Sequence, residues 1–287
     1  MSIEIPVSYV DQFSANVHML AEQRMSRLRA AVDFEAVTGE SFSRETLGGI
    51  DAPNTVDELH GDTPLNNTPH NRRWGYITNY DVADLIDKQS KVAMLIDPES
   101  RYTMRHAGTM GRGFDDSVIA ALGGVAMSGR NGSTSNALPS GQKITEGSTG
   151  MTVAKLLEAK RLLDAAEVDE FIPRFCAMTS TQFKDLLEDD KISNADYNTV
   201  KALVKGEIDT YLGFKFLRTE RLLLSDADTR LCYAWAQTGV LLGVSQEPTS
   251  VAAPRPDKRM SQQIYTYGSW GAVRVEDEMV VEIPCDE

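Results

Sequence analysis

The stretch GEIDTYLGFKFLRTERL, residues 206–222, sets two glycines seven positions apart and then runs an apolar segment into charged residues. Before it, NADYNTVKALVKG reads as a helix capped by Asn194 and stopped by Gly206, because glycine accepts the left-handed turn that ends helices. EIDTYL then serves as a connecting turn, and Gly213 supplies a tight backbone approach or a positive φ. FKFLRT follows as a strand, with Phe214 and Phe216 on one face and Lys215 and Leu217 on the other.

Working outward, Thr152 opens VAKLLEAKRLLDAAEV, a strongly amphipathic helix. RFCAMT is a short apolar strand after Pro173, and STQFKDLLEDD is a helix capped by Ser180 or Thr181. Downstream, CYAWAQTGVLLGV is a strand or pair of strands apolar enough to be buried. SQEPTSVAAPRPDK reads as a proline-rich link, and QIYTYGSWGAVRVEDEMVVEI as closing β-structure. Further upstream, Asp97 can cap a helix with Pro98 at its first position. That helix runs roughly 25 residues, or about 37 Å. Its apolar stripe is Ala107, Met110, Phe114, Val118 and Leu122, and Gly123 and Gly124 stop it. Gly108, Gly111 and Gly113 inside it each cost about 1 kcal/mol relative to alanine, so they mark close packing or a bend. Residues 128–150 form a Gly/Ser/Thr/Asn-rich loop.

Near the start, Val10, Phe13, Val17, Leu20, Met25 and Leu28 recur at helical spacing, which predicts an amphipathic helix over residues 7–32. Arg24, Arg27 and Arg29 cluster at its C-terminal end, the one concentrated basic patch. Residues 33–73 are poor in large apolar side chains and rich in Gly, Pro, Asn and Thr. They read as two long strands joined by an extended tip, an arm that needs a partner surface to become ordered.

The 287-residue chain is 25% charged with a net charge of −13, which argues against a broad nucleic-acid-binding face. Three widely spaced cysteines, Cys176, Cys232 and Cys285, form no CxxC pair and fit a reducing compartment. The first residues do not read as a secretory signal, and no apolar run is long enough to span a membrane. His18, His60, His70 and His106 show no metal-ligand spacing. YGSWG is not a nucleophile elbow, GTMGRGF has the wrong spacing for a dinucleotide loop, and GSTGMT lacks the lysine of a phosphate loop. LLEDD reads as a solvated helix end and DAD, from Asp226 to Asp228, as a turn. No catalytic residue, cofactor or metal site is therefore expected.

The order of these parts resembles the major capsid protein of tailed bacteriophages with the Hong Kong 97-type shell fold. The most specific stretch is VAKLLEAKRLLDAAEV…RFCAMTSTQFKDLLED…SNADY…VKGEIDTYLGFKFLRTERL, supported by the closing GAVRVEDEMVVEIPCDE. The resemblance implies an α+β capsid fold with an N-terminal arm at 1–32 and an extended β-hairpin loop at 33–85. It implies a peripheral domain with a spine helix at 86–150, an axial domain at 151–250 and a return to the peripheral domain at 251–287. Function then follows as self-assembly into hexamers and pentamers of an icosahedral virion shell around double-stranded DNA. Portal and separate scaffolding proteins are expected as partners, with assembly in the host cytoplasm and no membrane. Within this frame Arg72, Arg73 and Trp74 are candidate subunit contacts, since arginine and aromatic side chains anchor interfaces. Arg24, Arg27 and Arg29 are a candidate interior basic patch that touches DNA weakly. Some shells of this type weld a loop lysine to an asparagine; here the first lysine is Lys88, beyond the loop, so a non-covalent shell is expected. The alternatives are an encapsulin-type nanocompartment of the same fold, or a soluble α+β enzyme with a mobile lid at 33–73.

Overall fold

The computed structural model describes residues 23, 25–48, 65, 68–87, 99–188, 210–226 and 228–287. Its strands are β1 (Asp33–Ala36), β2 (Ser41–Leu47), β3 (His70–Tyr76), β4 (Thr78–Ile86), β5 (Ala126–Ser128), β6 (Thr134–Asn136) and β7 (Arg174–Met178). They continue with β8 (Thr210–Tyr211), β9 (Phe214–Arg218), β10 (Thr229–Ala236), β11 (Val240–Arg255), β12 (Ser261–Arg274) and β13 (Val280–Asp286). The helices are α1 (Glu99–Gly123), α2 (Val153–Ala165) and α3 (Ser180–Glu188).

The strands form three sheets, ordered β1-β11-β12-β4, β13-β10-β7-β9-β8 and β2-β3-β5-β6. The long helix α1 packs on β12 and β11, and α2 packs on β13. One continuous apolar cluster joins Met110, Phe114, Val118 and Leu122 of α1 to Trp270 of β12. The same cluster runs on to Tyr233 and Trp235 of β10 and to Leu156 and Leu163 of α2. Truncating such an aromatic to alanine costs about 3–5 kcal/mol.

The opening stretch folds largely as its residues dictate. Gly213 takes φ +87°, turning β8 into β9. Phe214 and Phe216 are buried while Lys215 is exposed. EIDTYL is not wholly a turn, because Thr210 and Tyr211 pair with Lys215 and Phe214 in a tight hairpin. Gly206 and the helix expected before it lie outside the described residues. CYAWAQTGVLLGV is two strands, β10 and β11, joined by a 3-10 turn at Gln237–Gly239. Thr152 caps α2 as expected, accepting from the Lys155 N–H.

Several expectations are corrected. The helix predicted over 7–32 is not helical in its described C-terminal part, which bends and holds one 3-10 turn, Arg29–Ala31. Its backbone groups bond to α1 instead: the Arg27 and Leu28 N–H groups go to the Asp115 carboxylate, and the Gln23 carbonyl to Arg112. The proline-rich link at 245–258 is mostly the outer half of β11. Pro248 sits where the register shifts between Gln246 and Thr249, and the sheet order leaves this half of β11 at an edge, where proline is tolerated. Within the loop at 128–150, Thr134–Asn136 pairs with β5. The cap of α3 is Thr179, whose hydroxyl accepts from the Gln182 N–H, rather than Ser180 or Thr181. Ala107 is exposed, and the buried stripe of α1 continues from Met110 to His106.

The cysteines are far apart in sequence but lie on β7, β10 and β13, which are neighbours in one sheet. All three are free and buried. Burial, and then the nearby Cys285, push the Cys176 thiol well above its ordinary value. A hydrogen bond with Cys285, and then burial, do the same for Cys232. Native protein at pH 8 is therefore expected to give no thiol reaction with a disulfide reagent, and three equivalents after denaturation. A thiol that titrates in the native protein would contradict this packing.

Candidate assembly site

Two local structures position the segments from which an assembly contact can be built. The first is the root of the β2–β3 hairpin. β2 and β3 pair in antiparallel register from Ser41–Tyr76 to Leu47–His70, and the Gly48 N–H donates to the Pro69 carbonyl at 2.8 Å. β3 joins the body through β5 by two register pairs, Arg73–Ser128 and Trp74–Met127. Trp74 Nε1 donates to the Gly129 carbonyl at 2.8 Å. Arg73 reaches the Val275 carbonyl and, at 2.5 Å, Asp277. Arg72 is half-exposed; it pairs with Glu45 across the hairpin and lies over the Trp74 ring, 5.7 Å from its centroid. Arg44 pairs with Asp33 and Glu35 of β1. Exposed pairs of this kind contribute about 0–1 kcal/mol each. All three expected contact residues, then, make bonds within their own chain, and Arg72 is the half-exposed one.

The second is the seat of the N-terminal segment on α1. Asp115 is fully buried. Its carboxylate accepts from Gln23 Nε2 at 2.5 Å, Ser26 Oγ at 2.6 Å, and the Arg27 and Leu28 N–H groups at 3.0 Å. Consecutive backbone N–H groups aimed at one anion form a nest, which balances its charge without a cation. Gly111 makes room for the segment, since a Cβ there would lie 2.9 Å from the Ser26 nitrogen. Gly113 likewise admits the Trp270 ring, 3.0 Å from such a Cβ. Gly111 and Gly113 therefore mark close packing. Arg27 donates to the Arg218 carbonyl. Arg29 pairs with Glu247 and lies 5.2 Å from the Phe34 centroid and 5.1 Å from that of Phe114. Arg24 lies outside the described residues. Sequence inspection missed Asp115, whose only signal was an acidic residue on the apolar side of an amphipathic helix.

Chemical alternatives can be weighed on the same geometry. A cleft of about 500 Å³ lies between α1, β4 and β12, lined by Tyr80, Arg112, Asp116, Arg221 and Trp270. Tyr80 and Phe114 stack on Trp270 at centroid distances of 4.3 and 4.2 Å, and Arg221 is ion-paired to Asp116. Elsewhere, Asp84, His106, Thr266 and Ser250 form a hydrogen-bonded chain with links of 2.9, 3.2 and 2.7 Å. That order imitates a nucleophilic triad, but Thr266 is 1% exposed, which denies a substrate access. Among the described residues no cluster of His, Cys, Asp or Glu could hold a metal ion.

A family model described as phage capsid protein matches residues 5–287. The chain belongs to the phage capsid protein family. No curated protein matches it. The capsid structure of Cyanophage P-SCSP1u superposes with a TM-score of 0.73 at 15% identity, covering 96% of this chain and 93% of that one. The capsid of Ralstonia phage GP4 gives 0.73 at 11% identity, covering 96% and 94%. A structure from Mycobacterium phage Che8 gives 0.66 at 15% identity, covering 99% and 98%. These likenesses bear out the expected α+β fold of Hong Kong 97 type. With the family, they make this capsid protein the building block of a phage head shell, a structural role.

Proposed function

We propose that copies of this capsid protein form hexamers and pentamers that close into an icosahedral head around double-stranded DNA, held without covalent cross-links. The observation that supports this most is coverage: the family match runs over residues 5–287, so no large part of the chain is left over for another task. The β2–β3 hairpin supplies the contact, with its distal residues and Arg72 lying on the spine helix of an adjacent copy. DNA is touched weakly, because a net charge of −13 offers few phosphate contacts. The guanidinium of Arg29 already shares its charge with Glu247, and that of Arg27 is bonded to a carbonyl. Scaffolding and portal proteins are the separate partners, and assembly takes place in the host cytoplasm.

Expression of the full chain, followed by sizing chromatography and negative-stain microscopy, tests this. Megadalton particles with a closed outline are expected. A stable 31.6 kDa species under all conditions would overturn the reading. Particles loaded with an enzyme and devoid of DNA would move it to a nanocompartment.

A further inference from the structure

We propose that Arg73 is a positioning residue for shell closure: it fixes the β2–β3 hairpin by gripping a buried Arg274–Asp277 post at the C-terminal end of α1. The proposal rests on the shell reading above.

The post is built from the chain's only fully buried arginine among the described residues. Arg274 is 0% exposed. Its Nη1 donates to the Leu122 and Gly124 carbonyls at 3.0 and 2.7 Å, and its Nη2 to the Asn136 carbonyl at 3.1 Å. The first two carbonyls lie at the negative end of α1, which by itself favours a cation. Arg274 Nε also donates to Asp277 Oδ1 at 2.6 Å. Because the helix end already answers part of the Arg274 charge, the Asp277 carboxylate can serve a second cation.

Arg73 is that cation, and it arrives from more than 200 residues away in sequence. Its Nη2 donates to Asp277 Oδ2 at 2.5 Å and its Nε to the Val275 carbonyl at 3.2 Å. With the Asn136 amide turned so that its oxygen faces the arginine, Arg73 Nη1 donates to it at 2.7 Å. Three separate nitrogens thus engage three partners, which fixes the plane of the guanidinium as well as its position. Asn136 is held from both sides, by Arg73 through its side chain and by Arg274 through its backbone. One cluster therefore ties β3 to β6, to the end of β12 and to the last turn of α1.

The hairpin needs such a fixture. β2 is the outer strand of its sheet, and β3 meets β5 over two register pairs only. The ion pairs from the other strand of the hairpin, those of Arg44 in β2 with Asp33 and Glu35, are half-exposed, whereas the side chains of Arg73 and Asp277 are 12% and 18% exposed. A small tilt at the root moves whatever contact the hairpin makes, and copies in a closed shell must meet at reproducible angles. Arg73 sets the angle; it does not itself touch the neighbour.

Arg73→Gln and Arg73→Lys in the full chain test this by three measurements. These are the melting temperature, amide hydrogen exchange at residues 70–76 against 229–236, and the yield of closed particles. For R73Q the melting temperature is expected to stay within about 3 °C of the parent, because the post and the apolar core remain. Exchange at residues 70–76 is expected to rise about tenfold while that at 229–236 is unchanged. Closed shells are expected to fall at least about tenfold, replaced by open or irregular sheets, with R73K recovering part of the yield because it keeps the charge but not the fork. Unchanged exchange at 70–76, normal shells despite faster exchange, equal acceleration at 229–236, or an R73Q chain that does not fold would each overturn the proposal. Parent protein that never forms particles counts against the shell reading itself, while the exchange comparison still decides whether Arg73 holds the hairpin root.

Discussion

Joining Gly48 to Pro69 through an Asn-Gly turn, in place of residues 49–68, leaves a folded, soluble subunit that builds no closed shells. The junction is ready for it. Leu47 and His70 are the last register pair, and Gly48 bonds back to Pro69. With Pro69 also replaced by threonine, which restores the N–H that closes the turn, a two-residue Asn-Gly connection adopts the turn whose twist matches flanking antiparallel strands. The described core draws on Leu28, Ala31 and Val32 before the hairpin, on Phe42 in β2, which the shortened chain keeps, and on Ile86 and later residues after it. The shortened chain therefore keeps the apolar burial of the described residues, and its melting temperature should stay within about 5 °C of the parent. Assembly loses its contact area instead. Stable interfaces bury on the order of 1,200–2,000 Å², and on the proposed function removing residues 49–68 takes away much of one partner's share. Sizing chromatography and negative-stain microscopy should show small oligomers and no closed particles. Normal shells from this variant would remove the hairpin from the assembly mechanism.

Much of the fold was legible in the sequence wherever local chemistry and tertiary packing agree. The long helix α1 reads from its periodicity, and it ends at Gly123 as the paired glycines suggest. Gly213 announces its positive φ because no side chain competes for that position. The failures share a different cause. The segment before Val32 carries a helical pattern, yet its backbone bonds run to Asp115 and Arg112, almost 90 residues away. Such long-range capture overrides local propensity and leaves no trace in spacing. The prolines of 245–258 suggest a link, but an edge strand with a register shift accommodates them. The spacing extends the apolar stripe of α1 to Ala107, while the helix turns His106 inward, where Asp84 and Thr266 supply polar partners that the sequence does not pair. The hairpin root was half legible. Arg72, Arg73 and Trp74 stand out by residue type, but the partners of Arg73 and Trp74, Asp277 and Gly129, lie 204 and 55 residues away.

Asp115→Ala is expected to release the N-terminal segment from α1 and to destabilise the subunit by about 2–4 kcal/mol. The carboxylate satisfies four donors at once, two of them consecutive backbone N–H groups. Each donor left buried without a partner costs about 1–3 kcal/mol. Water entering the vacated space, and relief from burying a charge, offset part of that sum. For a subunit of this size the loss corresponds to a melting temperature lower by roughly 5–15 °C. Asp115→Asn separates the two oxygens. Oδ1 accepts from Ser26, Arg27 and Leu28, whereas Oδ2 serves Gln23 and a longer contact to Arg27. An amide that keeps its oxygen on the Oδ1 side retains the backbone nest and loses chiefly Gln23, so the asparagine variant should lose less than half as much stability. Trypsin gives an independent readout, because Arg27 is protected while its N–H and that of Leu28 are pinned. Cleavage after Arg27 should accelerate strongly in D115A, weakly in D115N and not at all in a distant surface control. If D115A melts like the parent and Arg27 stays protected, the close approach at Gly111 and the remaining contacts seat the segment and the buried carboxylate is incidental to it. If the segment is released yet shells still close, its seat on the spine helix belongs to subunit stability rather than to assembly.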